Sequence, residues 1–136
     1  MGFPENDRTN RPCLGVRGIG NDILEINRIR KTIEKHGNHF YEKIFTETEI
    51  EYCLSYKDPA SHLAGRFSAK EAIAKALGIG FGKAISFQDI EITNDELGRP
   101  IVELSDSVNA RFDSPQIILS ISHCKEYANA VALWLA

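Results

Sequence analysis

The chain has 136 residues, of which 43% are hydrophobic and 26% charged. This composition is typical of a folded domain, and no apolar run approaches the roughly 20 residues that cross a bilayer. A formal net charge of −3 at pH 7 argues against a general nucleic-acid-binding protein. The three cysteines are far apart and form no CxxC pair, so the sequence predicts neither disulfides nor structural zinc and favours a cytoplasmic location.

The first third of the sequence predicts an extension, a strand and a helix. Residues 1–14 are polar, include two prolines and show no periodicity, so we expect a flexible extension there and a single domain over residues 15–136. An apolar run predicts a strand over about residues 16–23, whose two glycines are expected to leave room for close backbone approach. Isoleucines at helical spacing then predict a helix that ends at Gly37.

Two further helices are predicted in the middle of the chain. Thr46 and Glu49 are three residues apart, as in a capping box at the start of a helix. The next helix is predicted over about residues 60–77, because a proline precedes it, alanines fill it and Gly78 follows it.

The last part of the chain alternates strand-like segments with turns. SFQDIEIT and PIVEL flank one turn, and QIILSIS and ANAVALWL flank another. Helices followed by hairpins indicate an α+β domain in which an antiparallel β-sheet packs against helices.

Two carboxylates lie beside apolar segments in this sequence. Asp22 interrupts the first strand, and burying an unpaired carboxylate costs on the order of several kcal/mol. Glu71 lies beside the apolar stripe of the predicted helix, one turn before Lys75. The spacing fits an ordinary exposed Glu–Lys pair. It also fits a magnesium site for phosphate chemistry, in which two carboxylates from separate elements hold the ion beside a lysine.

Several other motifs do not match the function that they suggest at first sight. GIGFGK at residues 78–83 lacks the GxxxxGK[ST] spacing and GIGND lacks GxGxxG, so we reject a Walker-type NTPase and a Rossmann fold. His36 and His39 have no further metal ligand nearby and are interpreted as surface residues. His123 and Cys124 are adjacent on a strand and point to opposite faces, which excludes a thiol–base pair.

Basic residues cluster at two further places. His62, Arg66 and Lys70 are four residues apart along the long helix, where they are either solvated or bind phosphate. His123 is either an anion contact or a plain turn residue. Basic residues exceed acidic ones over residues 28–43, which is explained by a solvated helix face or by a docking surface for an acidic partner.

Three ordered blocks of the sequence resemble a known enzyme family. They are GIGNDILEINRI, HLAGRFSAKEAIAKALGIG followed by SFQDIEI, and ILSISHCKEYANAVA. Together they contain the GxD, [WF]xxKEAxxK and S-[IV]-[ST]-H elements of the holo-[acyl-carrier-protein] synthases, which are small 4'-phosphopantetheinyl transferases. The resemblance covers nearly all of residues 16–136. It implies transfer of 4'-phosphopantetheine from coenzyme A to a serine of apo acyl carrier protein, release of adenosine 3',5'-bisphosphate, and a role in fatty acid biosynthesis.

The resemblance also implies roles for the catalytic residues. Asp22 and Glu71 match the family's magnesium ligands, and Lys75 matches a residue that neutralises charge on the reacting pyrophosphate. Glu71 is our hypothesis for the base that takes the serine proton, directly or through a metal-bound water.

Further roles concern the bound partners. Arg66 and His123 are expected to face the adenosine 3'-phosphate of coenzyme A, and Lys70 to support cofactor binding. The basic first helix, with Arg28 and Lys35, is expected to receive the acidic carrier protein. The resemblance also implies an assembly, because family members of one-domain length form homotrimers with active sites between subunits. We therefore predict a homotrimer.

Asn21 departs from the family pattern, because an apolar residue is common at this place in the GxD element. Two other functions compete with catalysis. A module that only binds coenzyme A would need the basic strip but not both carboxylates, and a docking protein would need only the basic first helix.

Overall fold

Ten helices and strands follow one another over residues 15–136, the part of the chain that the computed structural model describes. They are β1 (Val16–Glu25), α1 (Ile26–His36), α2 (Asn38–Ile44), α3 (Glu47–Leu54), α4 (Pro59–Leu77), β2 (Ile90–Asn94), β3 (Pro100–Leu104), α5 (Asp106–Phe112), β4 (Gln116–His123) and β5 (Tyr127–Leu135). The extension predicted over residues 1–14 lies outside the described residues.

The strands form two antiparallel sheets. β5 lies between β1 and β4 in the larger sheet, and β2 pairs with β3 in a separate hairpin. Helices pack against the larger sheet, so the predicted α+β class with an antiparallel sheet is confirmed. Within this part of the chain, no helix is long and apolar enough to cross a membrane.

Helix α4 lies unusually close to strand β1. A Cβ atom on Gly20 would overlap the carbonyl oxygen of Ala72, and one on Gly18 would overlap that of Ala76. Only glycine lets two backbones approach this closely. Strand β5, which pairs with β1, places three alanines on the same face of the sheet, and their small side chains let α4 pack close to that face as well. They are fully buried: Ala128, Ala130 and Ala132.

Replacing Gly20 with alanine should therefore destabilise the protein. The added methyl group has no space, and overpacking of this kind costs about 1 to 3 kcal/mol. The free energy of unfolding in urea measures the effect. Gly80→Ala is the matched control, because nothing lies within 4 Å of a Cβ atom at Gly80. Equal stability of the two variants would contradict the close packing of β1 on α4.

Two apolar clusters lie along α4. Its first half packs with α1, α2 and α3 through residues such as Ile29, Phe45 and Leu63. Its second half packs with β2, α5 and the larger sheet through residues such as Ile73 and Val108. Because both halves are covered, α4 is the central helix of the fold.

Several local predictions are confirmed, and two helices were missed. α1 ends before Gly37, the Thr46 capping box is present in full, and Gly78 ends α4 in the left-handed conformation. The segments α2 and α5 are the missed helices, each seven residues long. The predicted strand SFQDIEIT begins instead with a 3-10 helix over Phe87–Asp89, and the strand itself starts at Ile90.

Candidate active site

Asp22 projects from β1 towards α4. Side chains two residues apart on a strand share a face, so Asp22 lies on the same side as Gly18 and Gly20. Its side chain is 17% exposed and its Oδ1 lies 3.2 Å from the Nζ of Lys75. The same ammonium group donates a hydrogen bond of 3.0 Å to the carbonyl oxygen of Asn21. An ammonium group from α4 therefore lies beside Asp22 and offsets its charge.

Glu71 lies in the single row of α4 side chains that is not fully buried. Between Leu63 and Leu77 every residue is buried except Phe67, Glu71 and Lys75, which are one helical turn apart. Burial raises the pKa of Glu71, the nearby charge of Asp22 raises it further, and Lys75 opposes both effects. The two carboxylates and the lysine thus form one half-buried cluster between β1 and α4.

This cluster has the ligand chemistry that magnesium prefers. Magnesium binds hard oxygen atoms and keeps several waters, so two carboxylates suffice when substrate phosphates complete its shell. Within residues 15–136 no three His, Cys, Asp or Glu side chains converge, so an all-protein ligand cage is not built there. Burial and the charge of Asp22 together raise the pKa of Glu71, and a cation between the two carboxylates would oppose both effects.

Arg66 and His123 meet in a separate cleft of about 200 Å³, which Tyr52 and His62 also line. The Arg66 guanidinium lies 4.2 Å from the centre of the Tyr52 ring and donates a hydrogen bond of 2.7 Å to the side chain of Asn94. Its Nε atom is buried and has no hydrogen-bond partner among the described residues. A ring-to-ring distance of 5.7 Å separates His62 from His123. The cleft therefore offers a buried positive charge with a free donor.

The Arg66 cleft and the carboxylate cluster lie on different sides of α4. Arg66 is five residues before Glu71, which corresponds to about 140° around the helix axis and roughly 7.5 Å along it. One chain therefore brings together Asp22, Glu71 and Lys75, and separately brings together Arg66 and His123.

The role predicted for Lys70 does not fit its position in the structure. It was predicted to support cofactor binding, but its side chain is fully buried and its ammonium group donates to the Glu49 carboxylate at 2.6 Å. Two carbonyl oxygens, those of Ile44 and Phe87, accept its other hydrogen bonds. All three ammonium protons are used inside the protein, so the predicted contact with a cofactor is wrong.

Two residues that shape the site were missed in the sequence analysis. Asn129 donates hydrogen bonds to the side chain of Asn21 at 2.7 Å and to the carbonyl oxygen of Asp22 at 2.8 Å. It therefore anchors the backbone that carries the acid. A polar residue inside the apolar run ANAVALWL was the available clue. Tyr52 was missed as well, because on α3 it looked like an ordinary partly buried aromatic residue.

Comparison with known proteins gives consistent matches over most of the chain. Residues 18–132 match the model of the 4'-phosphopantetheinyl transferase superfamily. A holo-[acyl-carrier-protein] synthase of Protochlamydia amoebophila is 54% identical over 86% of this chain and 96% of its own. Another from Chlamydia pneumoniae is 52% identical over 87% of this chain and 96% of its own.

Solved structures agree with the sequence matches. The synthase of Bacillus anthracis in complex with CoA (3',5'-ADP) is 42% identical and superposes with a TM-score of 0.77, over 89% of this chain and 97% of that one. The synthase of Helicobacter pylori in complex with coenzyme A is 38% identical with a TM-score of 0.78, over 85% of this chain and 98% of that one.

Proposed function

We propose, because the chain belongs to the 4'-phosphopantetheinyl transferase superfamily, that it moves the 4'-phosphopantetheine group of coenzyme A to a serine of an apo acyl carrier protein in a magnesium-dependent reaction. The observation that carries this proposal is the cluster of Asp22, Glu71 and Lys75 between β1 and α4. Phosphoryl transfer needs positioning and charge neutralisation more than covalent catalysis, and this cluster offers both.

Each residue of the cluster has its own role in the proposed reaction. Asp22 and Glu71 would hold magnesium, which when bound supplies positive charge to the pyrophosphate oxygens. Lys75 neutralises charge that develops on the transferred phosphoryl group. The Glu71 carboxylate accepts the proton of the serine hydroxyl, whose oxygen bonds to the phosphorus next to pantetheine. The bond from that phosphorus to the bridging oxygen breaks, and adenosine 3',5'-bisphosphate leaves with the electron pair.

The cleft around Arg66 and His123 is our candidate for the adenosine 3'-phosphate of coenzyme A. Its support is the Arg66 guanidinium, a permanent cation that lines the cleft together with His123. Because this cleft lies on another side of α4 from Glu71, a complete site requires a second subunit that places its cleft beside the carboxylates.

A homotrimer would supply that second subunit. The outward face of the larger sheet carries an apolar row in which Leu133 of β5 pairs with Ile19 of β1 and Ile118 of β4. Ile19 is 66% exposed and Ile118 is 52% exposed, as expected for residues that await a partner surface. Size-exclusion chromatography with light scattering should give three times the 15.2 kDa of one chain. A monomer at micromolar concentration would contradict the trimer.

The first helix is our candidate for carrier-protein docking. Arg28, Lys31 and Lys35 are exposed, and their spacing places them along one side of α1. Arg30 is left out of this docking surface, because its guanidinium pairs with the Asp58 carboxylate at 2.6 Å.

Reversing the charge of Arg28 tests this docking surface. Arg28→Glu should raise KM for the acidic carrier protein about tenfold with little change in kcat, since rim charges act mainly on encounter. Initial rates at varied carrier concentration measure the effect. Arg111→Glu makes the same charge change on α5 and should leave KM unchanged. The docking assignment is wrong if the two variants behave alike.

The cysteines indicate the cellular compartment of the reaction. Among residues 15–136, Cys53 and Cys124 form no disulfide, which suits a reducing compartment such as the cytoplasm. We place the product, a carrier protein with a pantetheine thiol, in fatty acid biosynthesis.

The stoichiometry of product release tests the proposed function. Incubation with coenzyme A, magnesium and an apo carrier protein should release one adenosine 3',5'-bisphosphate for each carrier modified, as measured by chromatography. Release without carrier would indicate a hydrolase, and binding of coenzyme A without release would indicate a binding module.

A further inference from the structure

A buried ion pair lies on another side of α4, about 100° around the helix from Glu71. Lys70 is 0% exposed and Glu49 is 1% exposed, and their side chains meet at 2.6 Å. Among the residues that the structure describes, every other salt bridge has at least one exposed partner. The proposed chemistry uses neither residue.

The pair joins α4 to four other segments at one point. Lys70 donates to carbonyl oxygens at the end of α2 and in the 3-10 helix before β2. The Glu49 carboxylate accepts from the backbone N–H groups of Thr46, at the start of α3, and of Ile92, in β2. Every ammonium proton and both carboxylate oxygens are therefore satisfied, and a rotation of α4 would break several of these bonds together.

The opposite side of α4 does not fix its rotation in the same way. There the helix backbone rests on Gly18 and Gly20, which have no side chains to interlock with it. That contact sets how close α4 lies to β1, but it leaves the rotation of the helix to other contacts.

We propose that the Glu49–Lys70 ion pair is a positioning device that holds the rotation of α4, so that Glu71 and Lys75 face Asp22. Lys70 is adjacent to Glu71 and projects about 100° away around the helix, so fixing one side chain fixes the direction of the other. This inference rests on the proposed function, because it assigns the pair to that same site.

A purely stabilising role is a poor explanation of the pair. Both side chains of the pair are removed from water, so the charges are held at a cost in solvation. An apolar pair of similar volume recovers much of the stability of a buried ion pair, but here it leaves four backbone groups without partners. A stabilising role therefore predicts that an apolar replacement lowers stability alone, whereas positioning predicts that it also damages the site.

The double variant Glu49→Leu with Lys70→Met separates these two roles. Its thermal midpoint should fall, because four backbone groups lose their hydrogen-bond partners. Its dissociation constant for Mn²⁺ should rise at least about tenfold and kcat should fall, both measured at a temperature where the variant is folded. Mn²⁺ is the probe, read from the loss of its free electron paramagnetic resonance signal in the presence of coenzyme A. This readout does not depend on turnover. Parent-like Mn²⁺ affinity and kcat in the folded double variant would overturn the inference.

Two further variants separate a loss of stability from a loss of metal affinity. Cys53→Ala removes buried volume from the same helix as Glu49 and should lower stability without changing Mn²⁺ affinity. If the double variant does not fold, Glu49→Asp keeps the charge and shortens the side chain, and its Mn²⁺ dissociation constant should rise about threefold. An unchanged constant in Glu49→Asp would overturn the inference. A parent protein without turnover would instead overturn the proposed function, and the Mn²⁺ comparison would still decide the role of the pair.

Discussion

Glu71→Gln should lower kcat by roughly 10³-fold at saturating magnesium and coenzyme A, which is within the range for loss of a general base. The substitution keeps the size of the side chain but removes both its basicity and most of its affinity for a hard cation. Steady-state assays with apo carrier protein measure the effect, and the loss should persist at high magnesium.

The fold should survive this substitution. Burial and the charge of Asp22 raise the pKa of Glu71, so a neutral side chain removes an unfavourable charge and the thermal midpoint should stay equal or rise. Glu51→Gln makes the same change at an exposed position on α3 and should leave kcat unchanged. Full turnover by Glu71→Gln would show that the assignment of Glu71 is wrong.

Lys75→Met should lower kcat by about 10²-fold, the size of effect seen when one donor to a developing charge is removed. The ammonium group lies 3.2 Å from Asp22, beside the site that we assign to the pyrophosphate. KM for coenzyme A should change less than kcat, because the cleft that we propose for the adenosine 3'-phosphate lies on another side of α4. Single-turnover rates separate the two effects.

A matched lysine provides the control for this second prediction. Lys57→Met removes a charge at an exposed position before α4 and should leave kcat unchanged. If both lysine variants lose the same small amount of activity, Lys75 contributes only to the general charge of the protein.

Where a residue has one dominant local reason for its conformation, the sequence predicted it. The glycines at 18 and 20 were expected to allow close backbone approach, and the structure gives them the carbonyl oxygens of α4 as neighbours. Gly78 was expected to end α4 and does so. Asp22 was expected to need a compensating group, and the ammonium group of Lys75 lies 3.2 Å from it.

Where tertiary contacts decide, the sequence was a poor guide. Lys70 follows the same four-residue spacing as Arg66, which suggested a common exposed strip, yet α4 is covered on nearly all sides and Lys70 points inward. Glu49 was recognised as a capping-box residue, and it also holds Lys70. Nothing in the spacing shows that one carboxylate serves both purposes.

The two missed helices illustrate the same limit. Each is only seven residues long, about two turns, which gives too few apolar repeats to establish a period. α2 buries just Phe40 and Ile44, and α5 buries just Val108. Their stability comes from packing against the rest of the fold.

Mass spectrometry of the carrier protein tests the central claim most directly. After incubation of this protein with coenzyme A, magnesium and an apo acyl carrier protein, fragmentation should locate one phosphopantetheine group on a carrier serine, and omission of magnesium should abolish the adduct. An unmodified carrier in the presence of the folded protein and bound coenzyme A would contradict the account.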